Sequence, residues 1–272
     1  MTRAVPAARV LLDEAAPDQA HGASVELRWL GQAGFAAAGS SATVAFDPYL
    51  SDLCRTAFGL ERAMERPCSP AQVGADVVLI SHWHEDHLDL DSAAEFAESG
   101  ATFLAPPSCV ARLVGRGIPA DSVGPMKTDE TIEVSGVTIT AVPAVHQVPG
   151  FLTEDAVGYL LDIDGLRIYH SGDTEYHRSL LSAGQRGPID VALLCVNGTG
   201  GNMNAFEAAL LAVQLQPAVA VPMHFGMWAP DAYGPGGTLD PADFVDIYTR
   251  LLPQAAVRIP TLTEPQVVRS RR

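Results

Sequence analysis

The segment Ser81–His87 reads SHWHEDH and concentrates side chains that bind metal ions. In an extended segment, residues two apart point the same way, so His82, His84 and Asp86 can converge on one point. His87 joins them if the chain turns there. Imidazole nitrogens and carboxylate oxygens are ligands of zinc, manganese and iron. A polar surface loop is the alternative, but the residue types of this segment favour a metal site.

Three further potential ligands lie downstream, each after a predicted strand. They are His146 after Val137–Val142, Asp173 after Leu166–Tyr169, and His224 after Val219–Met223. Taken singly, a histidine near a strand end is more often a loop or core residue than a ligand. All three occupy the same kind of position as the first segment, the C-terminal end of a strand, and this shared position favours a common site.

Hydrophobic patterning predicts the elements that must position these side chains. Asp76–Ile80 is a nearly continuous apolar run, typical of a strand covered on both faces. Further strands are predicted at Val25–Trp29, Phe35–Ala38, Thr43–Phe46, Thr102–Leu104, Val157–Ile163 and Ile189–Val196, with two more around a Ser135-Gly136 turn. Residues 51–70 are predicted to form a loop with one helical turn.

Four helices are predicted from capping residues and apolar periodicity. Their signals are a capping box of Ser92 with Glu95, the segment Pro107–Gly115, caps at Asn204 and Glu207 before a stripe of Phe206, Leu210 and Val213, and a start at Asp240-Pro241. Strands and helices alternate in two similar halves. This order predicts an α/β architecture in which two sheets pack together with helices outside.

The composition fits a globular protein of one domain. The chain has 272 residues, of which 47% are hydrophobic and 18% charged, which argues against disorder. No composition break marks a linker, so we expect residues 1–272 to form one domain, with flexible tails at 1–22 and 266–272. Four scattered cysteines predict free thiols rather than a disulfide framework.

The charge balance bears on partners and location. Seventeen basic and 32 acidic residues give a net charge of −15, which disfavours nucleic acid and anionic membranes as partners. No apolar run approaches the roughly 20 residues that a membrane helix needs. Asp13 and Glu14 interrupt the amino-terminal apolar stretch before it could serve in a secretory signal. We therefore expect a cytoplasmic protein that acts on a small molecule.

The order H-x-H-x-D-H, then His146, then Gly172-Asp173, then His224 resembles the metallo-β-lactamase superfamily. Trp29–Phe35 is similar to its opening hairpin, and Phe46-Asp47-Pro48 to its early aspartate strand. Within the superfamily the chain looks most like the L-ascorbate-6-phosphate lactonase group, over Asp76–Asp89, Thr102–Val123, Ala156–Ser171 and Ile189–Trp228. The resemblance implies an αββα four-layer sandwich of two mixed sheets with helices on the outer faces. It also implies a homo-oligomer.

The resemblance implies a division of the ligands between two metal ions. His82, His84 and His146 would form one site, Asp86, His87 and His224 the second, and Asp173 would bridge both. His146 aligns with an aspartate of the lactonase itself, which makes a two-metal site more natural here and weakens transfer of the exact substrate. One or two divalent ions are expected, with Zn²⁺, Mn²⁺ and Fe²⁺ as candidates.

The expected function is that of a metal-dependent hydrolase in which a metal-bound hydroxide opens a lactone, ester or amide bond of a small soluble substrate. Asp86 is the candidate that orients the hydroxide, or the general base if a single ion binds. His177 is a candidate proton donor to the leaving group, and an exposed histidine at a helix start is an equal interpretation.

Several neighbours are expected to support the site. We expect His170 to hydrogen-bond a ligand and Asp47 to brace a ligand histidine or its loop. Trp83 and Trp228 either wall the pocket or pack in the core.

Two other function classes remain open at this stage. One is a phosphodiesterase that acts on a small nucleotide or a phospholipid head group. The other is a non-catalytic metal-binding or redox protein, although His84 stands where diiron redox relatives carry glutamate. Antibiotic hydrolysis is disfavoured, because true β-lactamases usually lack the bridging carboxylate that Asp173 would provide.

Overall fold

A computed structural model describes residues 10–14, 24–148, 150–232 and 237–270. It contains two large sheets, and the first has eight strands. In spatial order these are β1 (Val10–Glu14), β16 (Gln266–Ser270), β2 (Ser24–Gly31), β3 (Gly34–Ala38), β4 (Thr43–Phe46), β5 (Val77–Leu79), β6 (Thr102–Ala105) and β7 (Val123–Pro125). Neighbours are antiparallel from β1 to β4 and parallel from β4 to β7.

The second sheet has six strands and is also mixed. Its spatial order is β15 (Val219–Met223), β14 (Val191–Cys195), β13 (Leu166–His170), β12 (Val157–Ile163), β9 (Val137–Pro143) and β8 (Thr131–Val134). The strands β13, β14 and β15 are parallel, and β12 is antiparallel to both β13 and β9. A separate ribbon pairs β10 (Gln147–Val148) with β11 (Phe151–Leu152).

Seven α-helices occur in the described residues. They are α1 (Leu53–Phe58), α2 (Pro70–Val73), α3 (Leu90–Glu98), α4 (Pro107–Gly115), α5 (Ser182–Gln185), α6 (Ala205–Leu215) and α7 (Ala242–Leu251). Short 3₁₀ helices lie at Ala120–Ser122, Arg178–Leu181 and Pro230–Ala232. Across the helices of these ranges, none combines the length and apolar character that a bilayer crossing demands.

Alternation along the strands divides the core into layers. In β5, Val77 and Leu79 join the cluster shared by the two sheets, whereas Val78 points to a second cluster that contains Phe96 of α3 and Leu113 of α4. This is the period of two expected for a strand buried on both faces. Helices α6 and α7 contribute to the first cluster beside the second sheet. The predicted α/β arrangement of two mixed sheets with helices outside is confirmed.

Two local predictions were wrong. The N-cap of α3 is Asp89, and Ser92 instead lies in the first turn and donates its hydroxyl to the Asp89 carboxylate at 2.6 Å. Phe206 does not belong to a buried stripe of α6, because its side chain is 52% exposed. The small residues Ala205, Ala208 and Ala209 are buried there instead.

The expected flexible tails are also corrected in part. Residues 266–270 form β16, which pairs with both β1 and β2, so this segment belongs to the first sheet. Val10–Glu14, inside the other expected tail, forms β1. The remainder of the amino-terminal stretch, with His21, and residues 271–272 lie outside the described residues.

Candidate metal centre

The predicted ligands follow the C-terminal ends of strands, and the three strands that belong to the second sheet run in the same direction. The segment 81–87 follows β5, His146 follows β9, Asp173 follows β13 and His224 follows β15. Because β9 and β13 are both antiparallel to β12, they run the same way as β14 and β15. Their carboxyl ends therefore meet at one edge, where open α/β sheets carry their ligands. Tyr159 of β12 donates its hydroxyl to the Ile80 carbonyl at 2.8 Å and so joins this edge to the first sheet.

Three histidines form the first group of candidate ligands. His84 Nδ1 lies 3.0 Å from His82 Nε2 and 3.2 Å from His146 Nε2. Two nitrogens that bind one tetrahedral ion at 2.0–2.1 Å are about 3.3–3.4 Å apart. The separations in this group are close to that edge length, so the three rings have the spacing that one ion requires.

The second group contains Asp86, His87 and His224. His224 Nε2 lies 3.3 Å from His87 Nε2 and 3.5 Å from Asp86 Oδ2. Asp173 lies between the groups, with Oδ2 3.2 Å from His224 Nε2 and 3.8 Å from His146 Nε2. Its Oδ1 is buried and accepts no hydrogen bond. All seven predicted ligands therefore converge, and one carboxylate contacts both groups.

A hydrogen-bond network sets which ring nitrogens face the centre. Ser81 donates its hydroxyl proton to Asp47 at 2.6 Å, so its oxygen accepts from His82 Nδ1 at 2.9 Å. His87 Nδ1 donates to the same Asp47 carboxylate at 2.8 Å. Both rings therefore direct Nε2 toward the centre. A carboxylate that accepts a hydrogen bond from the far side of a metal-binding histidine orients the ring in the same way. Asp47 therefore braces a candidate ligand histidine, His87, as expected.

Burial keeps the rings of His82 and His146 neutral. Desolvation lowers the pKa of His82 well below its ordinary value and lowers that of His146 to about 4. The Nδ1 of His146 is buried and has no hydrogen-bond partner. A neutral imidazole is the form that binds metal, so these side chains are ready for coordination without losing a proton.

The second group has the opposite electrostatics. Burial would lower the pKa of His224, but the carboxylates of Asp173 and Asp86 raise it to about 9. The pKa of His87 is raised against burial in the same way. Burial would likewise raise the pKa of Asp86, but the imidazoles of His87 and His224 hold it low. These carboxylates are thus ionised and require nearby positive charge, which a divalent cation supplies.

The donor chemistry and spacing therefore fit one or two divalent ions. The second-group imidazoles carry protons where a cation would bind, and metal binding would displace those protons. Buried atoms without a hydrogen bond, such as Asp173 Oδ1, which lies 3.4 Å from His87 Nε2, are the groups that an ion would satisfy.

Three further residues were predicted to contribute to the site: His177, Trp83 and Trp228. His177 is exposed and does not line the cleft that opens onto the candidate ligands. Its Nδ1 accepts a hydrogen bond from the Ser179 amide as the cap of a 3₁₀ helix. Its position gives no support to the predicted role as proton donor. Trp83 donates to the Leu152 carbonyl and stacks under Arg112, whereas Trp228 does line the cleft.

His170 was expected to hydrogen-bond a ligand, and this was wrong. The ring is fully buried, donates from Nε2 to the Ala33 carbonyl at 2.8 Å and accepts at Nδ1 from the Gly172 amide at 3.1 Å. It stacks on Phe46 with ring centres 5.1 Å apart. His170 thus holds the turn that carries Asp173 through the backbone.

Two amide side chains of the site were missed by sequence reasoning. Gln32 donates to Asp86 Oδ2 at 2.7 Å, and Asn202 donates to Asp173 Oδ2 at 2.6 Å. Both carboxylates are therefore fixed by a neutral donor. The signals available in the sequence were the glycines around each residue, since Gln32 stands between Gly31 and Gly34 in a tight turn with φ of 53°.

A cleft of about 380 Å³ opens onto the candidate ligands. His84, Asp86, His146, Asp173 and His224 all contribute to its wall. The cleft thus gives a small molecule access to the point where the two groups meet, as expected for a catalytic centre.

Comparisons with known proteins agree with this geometry. The model of a family described as "Beta-lactamase superfamily domain" matches residues 42–225. A UPF0173 metal-dependent hydrolase from Thermococcus onnurineus is 34% identical over 215 residues, which cover 78% of this chain and 89% of the relative.

Solved structures with the same fold are more distant in sequence. A metallo hydrolase from the archaeon Ignicoccus hospitalis superposes with a TM-score of 0.71 at 24% identity, over 90% of this chain and 98% of that one. An isothiocyanate hydrolase from Delia radicum gut bacteria has a TM-score of 0.66 at 18% identity, over 88% and 97% of the two chains. At these identities the similarity establishes the fold.

Proposed function

The chain belongs to the metallo-β-lactamase superfamily as a metal-dependent hydrolase, and from that premise we propose that it opens a lactone, ester or amide bond of a small molecule. The observation that carries the proposal is the convergence of seven nitrogen and oxygen donors at the cleft. The relatives named metal-dependent hydrolases support the reaction class, and the proposed bond type extends it.

We propose that His82, His84 and His146 hold one divalent ion, and that Asp86, His87 and His224 hold a second, with Asp173 shared. Zn²⁺ and Mn²⁺ are the ions proposed, because a mixed set of imidazoles and carboxylates suits both. Ions bound there would polarise the bond under attack and make water nucleophilic near neutral pH.

The residues of the chain would orient the reactants. Asp86 lines the cleft, and its Oδ2 is fixed by Gln32, so this carboxylate is placed to accept a hydrogen bond from the attacking water. Asn202 fixes the Asp173 carboxylate in the same manner. Because both carboxylates are held before substrate arrives, little reorganisation is needed during the reaction.

The phosphodiesterase alternative gains no support from the cleft. Among the described residues that line it, none is a lysine or arginine that could bind the remainder of a phosphate ester. A bis-nitrophenyl phosphate assay beside a panel of lactones, esters and amides separates the two reactions directly. An isothiocyanate joins the panel, because the fold neighbour from Delia radicum gut bacteria is named for hydrolysing that group.

Removing the shared carboxylate tests the proposal. We expect Asp173→Ala to lower kcat/KM by at least about 100-fold, because ligand loss costs more than the 10–100-fold typical of residues behind the ligands. Circular dichroism should show a folded protein, and the exposed Asp121→Ala is the control that should keep full activity. Near-normal turnover in Asp173→Ala would refute the bridging role.

Chelation tests metal dependence of the same reaction. Exhaustive dialysis against a chelator should abolish turnover, and addition of Zn²⁺ or Mn²⁺ should restore it. The bound ion is the proposed electrophile, and the candidate ligands themselves provide none. Full activity in a preparation shown by elemental analysis to be free of metal would contradict the proposal.

A further inference from the structure

The wall of the cleft contains a group of large apolar side chains. They are Phe58, Leu60, Val148 and Trp228, with Cys54 behind them. Phe58 and Leu60 are 48% and 36% exposed, although both are large and hydrophobic. Scattered exposed apolar residues need no explanation, but a group that borders a cleft with convergent polar residues indicates a surface for a ligand.

Among the described residues that line the cleft, no lysine or arginine balances the carboxylates. In the described part of its wall the acidic side chains are Glu85, Asp86 and Asp173. Two divalent ions would more than offset the charge of Asp86 and Asp173, which belong to the candidate ligands, so any repulsion of an anionic group comes from outside the metal centre. Glu85 is outside that set, so its carboxylate repels an anionic group that extends beyond the ions. The net charge of −15 acts in the same direction at longer range.

On the basis of the proposed function, we infer that the substrate is a neutral molecule with an apolar group that packs against Phe58, Leu60 and Trp228 while its reacting bond lies over the metal ligands. A substituent of either charge in this position would lose hydration against the apolar side chains, and no lysine or arginine among the described lining residues could pair with an anionic one. An apolar group would gain free energy by leaving water. The wall therefore selects against a charged substituent at this position, and most strongly against an anionic one.

Hydroxamic acids provide the probes, because their head group binds divalent ions while the remainder of the molecule can be varied. We would titrate the metal-loaded protein by calorimetry with acetohydroxamic acid, phenylacetohydroxamic acid, and the para-carboxylated and para-aminomethyl analogues of the latter. The phenyl compound should bind about tenfold tighter than acetohydroxamic acid, which is the gain expected from a partly buried ring. The carboxylated analogue should bind at least about tenfold more weakly than the phenyl compound.

Three variants connect these affinities to the residues of the cleft wall. Phe58→Ala should remove most of the gain of the phenyl compound and leave acetohydroxamic acid unchanged. Phe206→Ala is the matched control, because Phe206 is similarly exposed at 52% but lies outside the cleft wall. Glu85→Gln should tighten binding of the carboxylated analogue several-fold and leave the phenyl compound unchanged.

The possible failures are distinguishable. If the protein binds no divalent ion in a calorimetric titration with the metal alone, the proposed function is overturned together with the inference. If it binds the ion, but the phenyl compound binds no tighter than acetohydroxamic acid, only the inference is overturned. Tighter binding of either charged analogue than of the phenyl compound would overturn it as well.

Discussion

The carboxylate of Asp47 accepts three hydrogen bonds and makes none with a solvent-exposed group. Ser81 donates to it from its backbone amide at 2.7 Å and from its hydroxyl at 2.6 Å, and His87 donates from Nδ1 at 2.8 Å. The residue is fully buried and has a left-handed φ of 38° at the end of β4. At the residue scale, one carboxylate thus fixes the orientation of two candidate ligand rings.

We expect Asp47→Asn to weaken metal binding by about 10–100-fold, the usual cost of losing a group that orients a ligand. An amide in this place offers one acceptor oxygen where the carboxylate offers two, so His87 or Ser81 loses its partner. Competition with a chromophoric chelator measures the affinity.

Asp76→Asn is the matched control for that measurement. Asp76 accepts from the Thr43 amide at 2.8 Å and so joins the same two strands at their opposite ends. Its substitution should leave metal affinity unchanged. Equal losses in the two variants would mean that Asp47 acts only through general stability.

The sequence predicted the ligands better than the residues that hold them. His82, His84 and Asp86 are close in sequence and were therefore identified together, although the structure places them in bends and a turn after β5 rather than in the extended segment expected from their spacing. Gln32 and Asn202 are amides without a distinguishing spacing, and each becomes relevant only because the fold brings its turn to a carboxylate. Such contacts depend on tertiary structure, and the glycines beside each residue are the local signal that the sequence offers.

At the scale of elements, the turn after β13 positions Asp173. Gly172 has a left-handed φ of 60°, and a Cβ there would lie 2.8 Å from the Val157 carbonyl oxygen and 3.0 Å from the Ser81 side chain. The turn therefore passes closely between β12 and the segment that carries the first ligands. Glycine is required for both the backbone conformation and the space.

Gly172→Ala should lower the free energy of unfolding by more than the roughly 1–2 kcal/mol that left-handed strain alone costs, and should also weaken metal binding. Gly100→Ala is the control, because Gly100 has a φ of 87° but a Cβ added there would meet no atom within 4 Å. Gly100→Ala should lower the free energy of unfolding through backbone strain and leave metal affinity unchanged. Urea unfolding and chelator competition measure the two effects, and normal metal affinity in Gly172→Ala would contradict the assigned role.

The bounds of the helices and strands were predicted to within a few residues wherever the hydrophobic pattern was periodic. The strands of the second sheet and α4 agree with the sequence prediction. The face of α6 was wrong because alanines and leucines occur around much of the helix, so hydrophobicity did not distinguish the buried side. Its small residues face the sheet and allow close packing, whereas Phe206 is exposed.

At the scale of the molecule, the candidate ligands come from both sheets. The segment 81–87 extends from the first sheet, whereas His146, Asp173 and His224 extend from the second. An ion bound between them would add contacts that join the two halves of the core. Metal binding should therefore stabilise the whole molecule rather than one loop.

We expect the free energy of unfolding to rise by about 2.7 kcal/mol when free metal is present at 100 times its Kd, provided that the unfolded chain does not bind it. Urea unfolding with and without metal, followed by circular dichroism, measures this difference. At the same metal concentration, the metal-induced difference should be smaller in Asp173→Ala, because loss of the shared ligand raises the Kd of the metal. A metal-induced gain of the same size in that variant would contradict the shared role.

The position of the last strand has a consequence for how the protein is made. Strand β16 lies between β1 and β2, so among the described strands β1 has no ladder partner in its own sheet until β16 emerges. At a ribosomal rate of about 5–20 residues per second, the roughly 250 residues between them take more than ten seconds to synthesise. Throughout that interval the backbone of β1 and one edge of β2 are open to pairing with other chains, and we expect the nascent protein to depend on chaperones that shield such edges.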